Sequence, residues 1–159
     1  MYIELLNVDD KMARSFVCAE PVENGSFAKI KGLAKQTKAG VDLSGEVYEV
    51  EQLTDDAGEL FVVIAPDYHR YDERLLSGDV PQIKAKEVVR GYLLHKGAVI
   101  RVQADNIDEV ESVNVGDKLF PKAASYKLAK TAGEEKNILG KVIAKEKYCG
   151  KDSLVIAFI

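Results

Sequence analysis

Apolar and polar residues alternate along short stretches of this chain. In "GEVYEVEQL", Val47, Tyr48 and Val50 are set among Glu46, Glu49 and Glu51. In "AVIRVQA", Val99, Arg101 and Gln103 alternate with Ile100 and Val102. A period of two places such residues on opposite faces of a strand. "KVIAKEKY", "ELFVVIAP" and "SLVIAFI" are rich in β-branched or aromatic residues and end in turn signals. Runs of about four to eight residues with this punctuation read as strands. "DVPQIKAKEVVRGYLL" could open as a helix, but Gly91 and the β-branched pair Val88 and Val89 favour a strand. "RGYLLHKGAVIRV" predicts a hairpin, with arms Tyr92 to Leu94 and Val99 to Val102 and a turn at Gly97. Helical signals are confined to one turn around Asp72 to Leu76, capped by Asp67 and ended by Gly78, and a second at Asn106 to Val110.

The two most apolar runs resemble each other. "DSLVIAFI", Asp152 to Ile159, is expected to be a buried closing strand, and "ELFVVIAP", Glu59 to Pro66, its counterpart. Pro66 is expected to mark an exit from the sheet, because proline cannot donate to the ladder. Going backwards from each run, a glycine, a "GEVYEV" or "GKVIAK" strand, a "KAG" or "TAG" turn, an "LAK" and another glycine recur at an offset of about ninety residues. The pattern predicts an internal duplication of a small β unit. Two β-rich segments with ordinary turn chemistry would look alike too. The expected fold is all-β, with one or two short helical turns, as an antiparallel β-barrel or sandwich. The expected units are residues 1–66, a connecting loop and hairpin at 67–106, and residues 107–159, or all of these as one compact domain.

A length of 159 residues and an apolar fraction of 47% suit a globular chain that buries a real core without staples. The net charge of −4 gives no reason to expect a nucleic-acid partner. Cys18 and Cys149 form no CxxC pattern and read as two part-buried thiols, with a pairing between them left open. No apolar run reaches the length of a membrane span. The N-terminus lacks the pattern of a signal peptide. These features predict a protein made in a cytoplasm, with no membrane partner.

Candidate chemistry is sparse. There are two histidines, His69 and His95, at no metal-type spacing, and His95 is expected to face solvent from the hairpin turn. No P-loop, GxGxxG or GxSxG occurs, and no pair of carboxylates is set up by spacing. Gly116-Asp117 reads as turn chemistry. No catalytic, cofactor or metal residue is therefore named, and no enzyme activity is expected. The densest polar cluster is "DYHRYDE". Tyr68, His69, Arg70, Tyr71 and Arg74 include types enriched at protein–protein hot spots, which makes them the candidate partner contact. Tyr68 and Tyr71 would equally serve to cover the side of a β domain.

The segment from Val113 to Ile159 resembles the small β modules of tailed-phage capsid decoration and head-fibre proteins. The matching pieces are Gly116-Asp117, Leu119-Phe120, Leu128 to Gly133, Leu139 to Ile143 and Leu154 to Ile159. The resemblance covers about a third of the chain, and the Gly25 to Ala65 stretch more loosely. It lacks the long N-terminal arm of many such proteins. The resemblance implies a non-catalytic virion protein on the capsid surface, in several copies or as a homo-oligomer, with the major capsid protein or another virion protein as partner. The alternative is a cellular β-barrel ligand-binding module or small enzyme with its site in residues 67–79.

Overall fold

The computed structural model describes residues 3–34, 37–38, 41–42, 47–54, 61–64, 83–130, 140–148 and 150–159. The fold is all-β and has two main assemblies. Five strands close a barrel: β2 (Ala13–Cys18), β3 (Phe27–Leu33), β6 (Val47–Glu51), β7 (Phe61–Ile64) and β8 (Val88–Leu93), in the order β2-β6-β3-β7-β8. A six-stranded sheet takes β1 (Ile3–Asn7), β9 (Val99–Gln103), β10 (Lys118–Pro121), β11 (Leu128–Ala129), β12 (Gly140–Tyr148) and β13 (Lys151–Phe158), in the order β1-β9-β13-β12-β10-β11. The two-residue strands β4 (Thr37–Lys38) and β5 (Val41–Asp42) pair with each other.

Side-chain alternation explains which faces are buried. In β2, Phe16 and Cys18 point into the barrel, where they meet Ala28 of β3, Val50 of β6, and Val62 and Ile64 of β7. On the other face of the same wall, Phe27, Val63 and Tyr92 join a second cluster with Ile100, Val102, Leu154 and Ile156 of the sheet. Val62, Val63 and Ile64 of β7 are therefore buried on both faces, which is why no polar residue stands among them. Gly91 in β8 serves the same wall. A Cβ there would lie 2.7 Å from the Phe16 ring and 2.9 Å from the Val63 carbonyl.

The closing run behaves as expected. Strand β13 sits inside the sheet, antiparallel to β9 on one side and β12 on the other. Its Leu154, Ile156 and Phe158 are buried in the shared core, and Ile159 is 54% exposed. Its register fixes the sheet: Leu154 faces Val102 and Ile156 faces Ile100.

Three expectations need correction. First, β8 and β9 do not form a hairpin. Strand β8 pairs with β2 and β7, whereas β9 pairs with β1 and β13. The turn is present, with Ala98 N–H donating to His95 O at 2.9 Å and Gly97 at φ +90°, but it carries the chain from barrel to sheet. Buried Ala98 anchors that passage, and Gly97 N–H donates to Phe158 O. Second, the barrel is antiparallel except where β2 runs parallel to β6, Ser15 opposite Val47. Third, the short helix expected at Asn106 to Val110 is two 3₁₀ turns to either side, Ala104–Asn106 and Val110–Ser112.

The echoing segments differ in pairing. In the first, β6 and β7 flank β3; in the second, β12 pairs with β13 and β10 pairs with β12. The barrel and the sheet also draw strands from across the expected boundaries, since β1 joins the C-terminal strands and β8 joins the barrel. The helical turn expected at Asp72 to Leu76 and the exit at Pro66 lie outside the described residues.

Ile156→Ala should cost about 2–5 kcal/mol, because it opens a cavity at the centre of the shared core. Ile159→Ala should stay within about 0.5 kcal/mol. Denaturant midpoints of the two variants measure the contrast. Equal effects would mean that the strand is not buried as described.

Candidate functional site

The residues expected to contact a partner, Tyr68, His69, Arg70, Tyr71 and Arg74, lie outside the described residues. Among the described residues, no three His, Cys, Asp or Glu side chains come together in a way that could hold a metal ion. The single reactive-type side chains are each held in structural settings. Cys18 is free and buried in the barrel, and burial pushes its thiol up to about 11. Cys149 is outside the described residues. His95 does not face solvent as expected. Its Nδ1 donates to Lys96 O at 2.9 Å, and its Nε2 is enclosed without a partner. Gly116, at φ +95°, makes the tight turn that its sequence promised. Asp117 completes that turn by accepting from Asn114 N–H at 2.7 Å.

The structure instead presents charged surfaces. The first is the outer face of the sheet. Alternation places Arg101 there, with Val155 as its register partner on β13. The guanidinium reaches across β13 to Glu146 of β12 at 2.7 Å and also bonds Glu4 of β1. It stacks 4.9 Å from the centre of the Tyr148 ring. One side chain thus ties β1, β9 and β12 together over β13, and Val155 beneath it is only 5% exposed. The hydrogen bond to Glu146, followed by the charges of Glu146 and Glu4, holds Arg101 protonated beyond its ordinary range. Next to it on the same strand, Gln103 is fully buried with both amide atoms unpartnered.

The second surface is a cleft of about 390 Å³ on the barrel. Ala19 and Ala124 supply apolar lining, and Glu20, Glu49 and Glu51 supply carboxylates. Lys31 pairs with Glu49 at 2.9 Å, and Gln52 Nε2 donates to Glu20 at 3.2 Å. Tyr126 lines the cleft, and its hydroxyl is pushed up to about 12 by burial first and then by Cys18, Glu20 and Glu51. A groove of similar volume, about 390 Å³, lies between the β12–β13 hairpin and the 3₁₀ turns, with Val110, Leu154, Glu111, Lys145 and Asp152 on its walls. Lys145 closes one side by donating to Val113 O at 2.6 Å.

Groups of this kind can pair with a charged surface. The sequence named neither Arg101 nor the cleft, since Arg101 meets Glu4 and Glu146 across 97 and 45 positions. The alternation of "AVIRVQA" did hold the signal, because it set Arg101 on the polar face.

No family model and no curated protein matches the chain. Among solved structures, the fold is similar to the N-terminal base of the head fibre gp8.5 of bacteriophage phi29. The TM-score is 0.47 at 13% identity, over 92% of each chain. That protein is a head fibre, one of the classes that the C-terminal motifs resemble. An overlap of this depth carries no function across.

The Asp117 turn gives a pH prediction. The hydrogen bond from Lys130, at 2.8 Å, and then that from Asn114 hold the Asp117 carboxyl below its ordinary value. A depressed carboxylate adds stability above its unfolded value of about 3.9, and this is lost as pH falls through the folded value. Asp117→Asn should therefore lower the denaturant midpoint at neutral pH, and the gap to wild type should shrink as the carboxylate is protonated in acid. A gap independent of pH would contradict the assignment.

Proposed function

We propose that the chain is a non-catalytic structural protein of a tailed-phage virion, bound to the outside of the capsid as a decoration, auxiliary capsid or head-fibre protein. One observation carries the reading. The motif pieces that resemble such modules fall in chain order on the structural elements they require. Gly116-Asp117 forms the turn, and Leu119 and Phe120 are the buried pair of β10. Leu128 opens β11, Gly140 to Ile143 begin β12, and Leu154 to Phe158 fill β13. The support lies in each described piece falling on a turn or strand, as the resemblance implies.

The partner in this reading is the major capsid protein or another virion protein. Tyr68, His69, Arg70, Tyr71 and Arg74 are its proposed contacts, on the strength of their residue types. The charged faces of the described residues support a role in recognition, since charge complementarity sets register and suppresses wrong partners.

Purified protein mixed with empty capsid shells tests this. Saturable binding at a fixed number of copies per shell is expected, as is a stoichiometric band in purified virions. Arg70→Glu with Arg74→Glu should weaken shell binding by about tenfold or more. Absence from purified virions together with no shell binding would overturn the reading.

A further inference from the structure

Charge is divided unevenly along this chain. Residues 1–117 hold 13 Lys or Arg against 22 Asp or Glu, whereas residues 118–159 hold nine Lys against four Asp or Glu. The first part supplies the acidic cleft on the barrel, and the second supplies β10 to β13 of the sheet. The modest net charge of −4 hides an acidic longer part of the sequence and a basic final part.

Among the described residues, the basic part holds two unpaired lysines side by side. Lys118 of β10 and Lys141 of β12 are direct register partners. Residues so placed have Cβ atoms about 5 Å apart, and like charges there repel. Both lysines are exposed, and among the described residues neither has a carboxylate partner. Neighbouring lysines fare differently, since Lys122 pairs with Asp108 at 2.6 Å and Lys130 with Asp117 at 2.8 Å. Two large apolar side chains are exposed close by. Ile143, at the bulge of β12, is 47% exposed. Val115, 58% exposed, precedes the Gly116 amide that donates to Val142 O. Aliphatic groups beside unpaired charge mark a docking corner.

The cleft has the complementary build. Its accessible apolar lining is Ala19 and Ala124, beside the half-buried Tyr126. Glu51 has no ion pair among the described residues, and Glu20 accepts only from neutral Gln52. We propose that the Lys118/Lys141 corner of one copy docks into the Glu20/Glu51 cleft of a second copy. The two surfaces differ, so the contact is head to tail and propagates, closing into a ring where the rotation allows. A second copy is the occupant because its cleft carries the carboxylates that complement the corner's lysines, with Ala19 and Ala124 beside them. The inference stands apart from the virion reading and can fail without it.

Sedimentation velocity on the full chain tests it. Wild type should associate at roughly 0.05 M salt and return to monomer at roughly 1 M, where screening shortens to about 3 Å. Glu20→Lys with Glu51→Lys should remain monomeric at low salt, as should Lys118→Glu with Lys141→Glu. An equimolar mixture of the two double variants should associate again, because each supplies the surface that the other has lost. Recovery in the mixture also shows that both variants fold. A wild type that is monomeric at low salt overturns the proposal, and so does association that both variants retain. A monomer whose Lys118→Glu, Lys141→Glu variant alone loses capsid-shell binding overturns it too, by assigning the corner to the shell.

Discussion

One wall of strands, shared by barrel and sheet, sets the rest of this structure. Strands β3, β7 and β8 turn Ala28, Val62 and Ile64 into the barrel and Phe27, Val63 and Tyr92 toward the sheet. Burial on both faces leaves no room for polar residues among Val62, Val63 and Ile64 and no room for a side chain at Gly91. It also means that neither assembly can be completed alone. Removing the sheet would expose Val63 and Tyr92. Removing the barrel would take cover from Ile100 and Ile156. At about 25 cal/mol per Å² of apolar surface, exposing such side chains is a loss that a marginally stable fold cannot absorb.

On the sheet's outer face, where Val155, Ser153 and Gln103 are buried, Arg101 lies across β13 and bonds carboxylates on either side. The guanidinium covers Val155 while its charge stays hydrated and paired. Electrostatics elsewhere is left open. The lysines of β10 and β12 and the glutamates of the barrel cleft point outward with few internal partners. Exposed faces of opposite charge are surfaces that a complementary partner can read. The proposed virion role and the proposed head-to-tail contact both draw on that division.

Much of this was legible in the residues. Period-two alternation located β6 and β9, β-branched residues and turn signals located β8 and β12, and the continuous apolar runs marked β7 and β13 as the most buried strands. What alternation does not encode is the neighbour. It states which face Ile100 presents, but not that β9 abandons β8 for β1 and β13. A turn such as His95 to Ala98 looks the same whether it closes a hairpin or hands the chain to another sheet. The parallel pairing of β2 with β6 is equally silent locally, because it depends on how the barrel closes. The resemblance to phage modules located the C-terminal strands correctly, whereas the echo between the two halves extends to sequence but not to strand partners. The candidate contact loop was chosen for residue type. The charged corner and cleft depend on residues far apart in the chain, which no local pattern unites.

The central claim is that barrel and sheet form one cooperative body through the shared wall. Native-state hydrogen exchange measured strand by strand tests it most directly. The account predicts that the slowest amides of β2, β3 and β7 and those of β9 and β13 reach one common opening free energy, equal to that of global unfolding. A barrel that opens at a clearly lower free energy while the sheet stays protected, or the reverse, would contradict it.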